Sequence, residues 1–316
     1  MNAVAARFGL TLEEVQATLA DARVTLFEAR ETRTKPHLDD KILTAWNGLM
    51  IGALAEGYRI LGDSRYLEAA TTAAEFLFAE LRSPNGRLLR THRDGHSHLN
   101  AYLEDYAYLS EGLLDLYESG AARRYFDWAA ELLEIIVTDF RDEGCGAFYH
   151  TGATHERLLF RYREGADGAT PAPNAVAASV MVRMAGHTGH PRWIDYASRA
   201  IGAYGGNVRQ YPRAFAKSLI VVDWMLASPI ELVFVGSRTS ASLEEMLRAA
   251  GRFFVPHRVQ AVSDLTEVDG LPLLEGKVMP DGKPALYVCR DFTCAAPVGG
   301  AEQVVRELES IEANRM

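Results

Sequence analysis

Three clusters of polar and aromatic side chains in this 316-residue chain combine the residue types of a carbohydrate or proton-transfer site. The first lies in the run Thr34-Lys-Pro-His-Leu-Asp-Asp-Lys-Ile-Leu-Thr-Ala-Trp-Asn-Gly-Leu-Met50, which sets His37, Asp39, Asp40, Lys41, Trp46 and Asn47 at the entry of an apolar-periodic segment. The second holds His96, His98, Asn100, Tyr102, Glu104 and Asp105, and the third is Thr170-Pro-Ala-Pro-Asn174. Carboxylates move protons or stabilise an oxocarbenium ion, histidines titrate near neutrality, and flat aromatic rings stack on pyranose faces. On this chemistry His37, Asp39, Asp40, Glu104 and Asp105 are the candidate catalytic groups, and Trp46, Asn47, His98, Tyr102 and Asn174 the candidate substrate-binding groups. A helix start adds unpaired N–H groups and partial positive charge, which favours a hydroxyl-rich or anionic ligand. The plainer reading makes the same residues helix caps and inter-helix hydrogen bonds. For Asp39 or Asp40 alone that reading is the stronger one, and Tyr102, Tyr106 and Tyr108 beside Glu104 and Asp105 suit it as well.

The elements that would carry these groups follow from apolar spacing. From Trp46, apolar residues recur at Leu49, Met50, Ala53, Leu54, Gly57, Ile60 and Leu61, one face of a helix. Gly62-Asp-Ser-Arg-Tyr-Leu-Glu-Ala-Ala70, Ala121-Ala-Arg-Arg-Tyr-Phe-Asp-Trp-Ala129 and Gly189-His-Pro-Arg-Trp-Ile-Asp-Tyr-Ala197 repeat an Arg-aromatic-apolar-acid core. Each copy joins two periodic segments, which predicts αα-hairpins over 42–61 with 65–82, 100–118 with 122–139, and 172–187 with 191–206. Thr170 followed by Pro171 reads as an N-cap and first helical residue. Helices near 11–31, opened by the capping-box pattern Thr11-Leu-Glu-Glu14, and near 211–227 bring the total to about eight. Such hairpins build a solenoid or an α/α toroid; six hairpins would close a ring, so the expected fold is mainly α, a partial (α/α)6-type toroid. If first helices form the inner wall, the polar openings, with a fourth at Arg209-Gln-Tyr-Pro-Arg-Ala-Phe-Ala-Lys217, converge at one end of it. A small α/β part follows, with strands at 230–236, 258–262 and 285–289, a helix near 241–251 and a terminal helix at 301–313. The expected domains are a lead-in at 1–35, the toroid at 36–228 and the α/β subdomain at 229–316.

Composition narrows the function classes. A formal net charge of −9 argues against a general nucleic-acid binder. No apolar run is long enough to span a bilayer and the N-terminus lacks signal-peptide character, so a cytoplasmic location is expected. Three cysteines, Cys145, Cys289 and Cys294, form neither a disulfide framework nor a Cys-x-x-Cys site, and structural thiols are the favoured reading. The remaining histidines show no metal-ligand spacing, Gly-x-Ser-x-Gly is absent, and no glycine pattern matches a dinucleotide or phosphate loop, so neither metal nor cofactor is expected.

Arg33 to Met50, Tyr102-Leu-Glu-Asp-Tyr-Ala107, Asp167 to Ala177 and Gly282 to Pro297 together resemble the thioredoxin-domain-containing family of spermatogenesis-associated type. The resemblance covers nearly the whole chain in order. It implies an α/α toroid similar to N-acylglucosamine 2-epimerases and six-hairpin glycosidases, preceded in the family by a thioredoxin-like domain. This chain looks like the back half only, without the first hairpins and without the redox motif. Relatives show Pro-Ser-Gly-Asn where this sequence has Pro171-Ala-Pro-Asn174. The resemblance points to a small-molecule sugar as ligand and to a sugar epimerase, isomerase or glycosidase. The alternatives are a scaffold or interaction module, with a thioredoxin-like domain or chain as partner, and a truncated product that needs its N-terminal half.

Overall fold

The computed structural model describes residues 1–227, 229–266, 271–290 and 293–313; Asp291 and Phe292 of the fourth motif fall outside them. The chain divides into two compact units, Met1–Asp40 and Lys41–Met316. In the first, α1 (Asn2–Phe8) packs on α2 (Leu12–Glu31), burying Ala5 and Val15. α2 starts with the predicted capping box: Thr11 Oγ1 accepts from Glu14 N–H at 3.1 Å and Glu14 Oε2 accepts from Thr11 N–H at 2.7 Å. α1 goes unannounced in the sequence, being only two turns long.

The second unit begins with β1 (Ile42–Leu43) and α3 (Thr44–Leu61), which turns through Gly62 into α4 (Ser64–Glu80). A hairpin of β2 (Leu89–Arg93) and β3 (His96–Asn100) precedes α5 (Leu103–Glu118) and α6 (Arg123–Ile135), which ends in a π-turn at Ile136–Phe140. After a long loop come α7 (Pro173–Thr188) and α8 (Pro191–Gly202), then the short α9 (Gly205–Gln210), a 3-10 turn at Pro212–Phe215, and α10 (Ala216–Leu226). Each first helix packs on its own second helix, while α3 touches α5, α5 touches α7 and α7 touches α10. The first helices thus form an inner layer and α4, α6 and α8 an outer one, an open arc of αα-hairpins that is an incomplete α/α toroid. α5 and α7, between two inner neighbours each, are buried on almost every face.

Two predicted starts move. Residues 96–100 form a strand, because Asp94 (φ 51) and Gly95 (φ 75) make a tight turn in the left-handed region; Asp-Gly is the hairpin signal that sequence reading passed over. α7 begins at Pro173 instead of Pro171, with Ala172 as its N-cap, since a residue before proline is pushed out of the helical region.

β4 (Ile230–Val235), α11 (Ala241–Ala250), β5 (Arg258–Ser263), β6 (Ala285–Arg290), β7 (Thr293–Cys294) and α12 (Ala301–Ala313) complete the fold as a small α/β layer. The sheet order is β5-β4-β6-β7, with β4 and β5 parallel and the other pairs antiparallel. Strand alternation divides the burial: Val233 and Val235 join the hairpin core, whereas Leu232 and Phe234 pack with α11 and α12. Cys289 and Cys294 lie opposite each other on β6 and β7 and are joined in a disulfide, in place of the expected free thiols. Among the described residues no helix is long and apolar enough to cross a membrane.

α3 and α5 approach so closely that a Cβ on Gly112 would stand 2.3 Å from the Gly48 carbonyl oxygen, and one on Gly48 would stand 2.5 Å from the Leu109 nitrogen. Backbone on the far side cannot give way as a side chain can. Gly112→Ala should therefore cost about 1–3 kcal/mol in urea unfolding. Gly202→Ala, where a Cβ meets nothing within 4 Å, should be neutral. Equal stability of the two variants would contradict the seam.

Candidate functional site

The start of α3 is capped from across the arc instead of locally. α3 has no side-chain cap from its own segment; Asp105 of α5 reaches over, its Oδ1 accepting from Ala45 N–H at 3.0 Å. Its Oδ2 accepts from Tyr102 N–H at 2.8 Å and from Arg90 Nη1 at 3.1 Å. Burial pushes this carboxyl up to about 7 even with Arg90 beside it. Asp167 does the same work elsewhere, taking Ala172 N–H on one oxygen and Lys217 N–H, at the start of α10, on the other. Around Asp105, Arg90 also bonds Glu104 at 2.6 Å and lies over the Tyr102 ring, which stacks on His150. Burial lowers the His150 pKa, against the opposing charge of Glu104, and burial together with Glu104 raises that of Glu164.

Below this mouth a stripe of polar groups runs down α5. Glu104, Tyr108, Glu111, Asp115 and Glu118 recur at intervals of four and three, one helix face. The lower part of the stripe faces a cavity of about 460 Å³, walled by α3, α5, α7 and α10 and floored by residues 251–258. A second hollow of about 260 Å³, against Gly48, Gly52 and Tyr108, shares Glu56, Glu111 and Asp115 with it. Each carboxylate has a cationic partner across the gap. Lys217 Nζ of α10 and Ser179 Oγ of α7 donate to Glu111 Oε1 at 2.6 and 3.2 Å. Arg183 Nη2 of α7 reaches Asp115 Oδ1 at 2.7 Å and Glu118 Oε2 at 3.0 Å, and His187 Nε2 meets Glu118 Oε1 at 3.0 Å.

The two neighbouring acids respond in opposite directions. Burial acts to raise Glu118, yet Arg183 and His187 hold it down to about 2. Asp115 is pushed up to about 6 by burial, which Arg183 only partly offsets, with Glu111 and Glu118 adding like charge. Its side chain nevertheless keeps 27% of its surface accessible, because it faces the cavity. Gly52 makes the room: a Cβ there would sit 2.7 Å from Asp115 Oδ2. A carboxyl that is partly protonated near neutrality, beside a second carboxyl one turn away, can exchange protons with a bound molecule.

The residues singled out by sequence are distributed unevenly over this geometry. Tyr102, Glu104 and Asp105 meet at the mouth with Arg90, where Asp105 is fully buried as a cap. Asn174 is buried too, bonding Phe148 N–H and C=O and the Glu164 carbonyl, so it fastens the long loop to α7. Asn47 donates to Leu43 C=O of its own helix start. Trp46 is 66% exposed and His98 points outward from the hairpin. His37, Asp39 and Asp40 are exposed in the extended end of the first unit. Sequence reading missed Glu111, Asp115 and Arg183, whereas Lys217 closes the fourth of the polar openings. The available signal was the acidic stripe itself, set in a helix whose other faces are apolar. Among the described residues, no three His, Cys, Asp or Glu side chains are grouped as a metal site would require.

No protein-family model matches the chain. Among solved structures it is similar to a cellobiose 2-epimerase from Bacillus thermoamylovorans (15% identity, 54% of this chain and 46% of that one, TM-score 0.46). It is also similar to a family 76 α-mannanase from Bacteroides thetaiotaomicron (14% identity, 74% and 67%, TM-score 0.48). Spermatogenesis-associated protein 20 of Homo sapiens is 31% identical over 312 residues, 94% of this chain and 40% of the human protein. The chain thus spans about two fifths of the length of the curated relatives it matches. Along nearly all of its own length, the chain is similar to spermatogenesis-associated protein 20.

Proposed function

We propose that the chain binds a sugar in the cavity of the inner helices and catalyses proton transfer next to its carbonyl, as a sugar isomerase or epimerase. The observation that carries this reading is the α5 stripe, which presents Glu111 and Asp115 to one cavity with the pKa of Asp115 raised to about 6. Asp115 would donate to the carbonyl oxygen while Glu111 takes the proton from the adjacent carbon. Ser179, Lys217 and Arg183 would hold hydroxyl groups, and Glu104 with Tyr102 would shape the entrance. A glycosidase needs two carboxyls flanking the scissile bond from opposite sides. Glu111 and Asp115 share one wall, which favours proton transfer on one face of the substrate. The toroid-type sugar enzymes that the chain resembles supply context for this reading.

A second reading, an interaction module without catalysis, has its own support. Leu19, Val24, Leu26 and Phe27 on α2, and Leu219, Ile220 and Leu226 on α10, are exposed apolar side chains. A thioredoxin-like domain or chain would be the partner to test.

Aldoses and ketoses incubated with the protein in deuterated water should exchange the hydrogen next to the carbonyl, seen by proton NMR. Glu111→Gln should slow the exchange by a factor of about 10²–10⁴. Absence of exchange across a panel of monosaccharides, with release of sugar from glycosides, would contradict the isomerase reading. The raised pKa of Asp115 has a second consequence. An acid whose folded-state pKa lies above its ordinary 3.8 contributes stability below about pH 4, lost as the pH rises to about 6. Urea unfolding from pH 4 to pH 7 should show wild type losing stability relative to Asp115→Asn; parallel profiles would contradict that assignment.

A further inference from the structure

Positive charge on the cavity floor exceeds what its carboxylates answer. Five Lys or Arg side chains line the cavity against four carboxyls. The excess is greatest at Arg258 on β5, whose side chain is only 19% exposed. Its Nη2 donates to Glu56 Oε2 at 3.2 Å, and its buried Nε–H has no partner among the described residues. Glu56 already accepts from Arg59, through Nε at 2.8 Å and through Nη2, so two guanidiniums share one carboxylate. Arg183 is engaged by Asp115 and Glu118. Burial and the nearby Arg59 pull the pKa of Arg258 down, against the attraction of Glu118 and Glu56, with Arg183 adding to the repulsion. The exposed Arg252 adds a further cation at the rim.

We propose that the cavity floor, at Arg258 and Arg252, binds the oxyanion group of a small acidic sugar, a carboxylate or a phosphate. The inference rests on the sugar reading above and narrows its substrate class to anionic monosaccharides. A carboxylate or a phosphate satisfies a guanidinium through paired N–H donors, and here it would also relieve the repulsion among Arg258, Arg59 and Arg183. Glu111 and Asp115 stand on the wall of the same cavity, so a sugar anchored by its anionic end would have its remaining atoms beside them. A volume of about 460 Å³ lies within the range of about 300–1,000 Å³ usual for small-molecule sites.

Isothermal titration of the full chain with D-glucuronate, D-glucose and inorganic phosphate tests this. Glucuronate should bind at least tenfold more tightly than glucose, and Arg258→Gln should abolish that margin while leaving glucose affinity unchanged. Tight phosphate binding lost in Arg258→Gln, with glucuronate weak, would support a phosphorylated sugar; the reverse pattern would support a uronate. Equal affinity for glucuronate and glucose, with phosphate unbound, would overturn the anion site and leave the sugar reading standing. Phosphate binding lost in Arg258→Gln, with neither sugar bound, would support the anion site and sink the sugar reading. No binding of any probe would overturn both. Thermal unfolding checks that Arg258→Gln is folded. If it is not, Arg252→Gln at the exposed rim should reduce the margin about threefold, and an unchanged margin there would overturn the proposal.

Discussion

The close approach of α3 to α5 at Gly48 and Gly112 governs the rest of the inner layer. With no side chain on either glycine, backbone packs against backbone and a Cβ at either position would enter the other helix. That distance brings the α3 N-terminus within reach of Asp105, so one carboxylate caps a helix from another hairpin. One turn further down, Gly52 leaves the space that Asp115 occupies. A side chain at any of these three glycines would disturb both the packing and the acid that faces the cavity, so stability and chemistry are coupled through the same helix pair.

Burial acts on Asp105, Asp115 and Glu118 alike, but their partners separate them. Asp105 and Asp115 are both pushed up, yet Asp105 has both oxygens engaged by backbone N–H groups and Arg90, and no surface left for a ligand. Glu118, only 3% exposed, is held ionised by Arg183 and His187. Asp115 alone combines a raised pKa with an open face. In a charged network of this kind each ion depends on its neighbour, because an unpaired buried charge is costly. The network therefore fixes the rotamers of the groups that line the cavity, while Arg258 Nε and His187 Nδ1 are left buried without a partner among the described residues.

The hairpin architecture was legible in the sequence because the repeated Arg-aromatic-apolar-acid turn marks each passage from inner to outer helix. The strands of the α/β layer were legible because β4 is apolar at five of its six positions, all but Glu231. The site was read less well. Polar residues at helix starts drew attention, yet Asp105 and Asn174 serve as inter-segment hydrogen-bonding groups, which depend on contacts between distant parts of the chain. The acidic stripe below them was visible as a spacing, but an acid on a helix ordinarily signals a solvated face. Only the enclosure of α5 between α3 and α7 shows that this face looks inward. The Cys289–Cys294 disulfide escaped for a similar reason, since two cysteines five residues apart pair only when the chain reverses between them.

The most direct test of the inner wall as the site is a crystal structure of the full chain soaked with D-glucuronate. The account predicts electron density for the sugar between α5 and α7, its ring against Glu111 and Asp115 and its carboxylate on Arg258. Sugar density elsewhere on the molecule, with only water in that cavity, would contradict it.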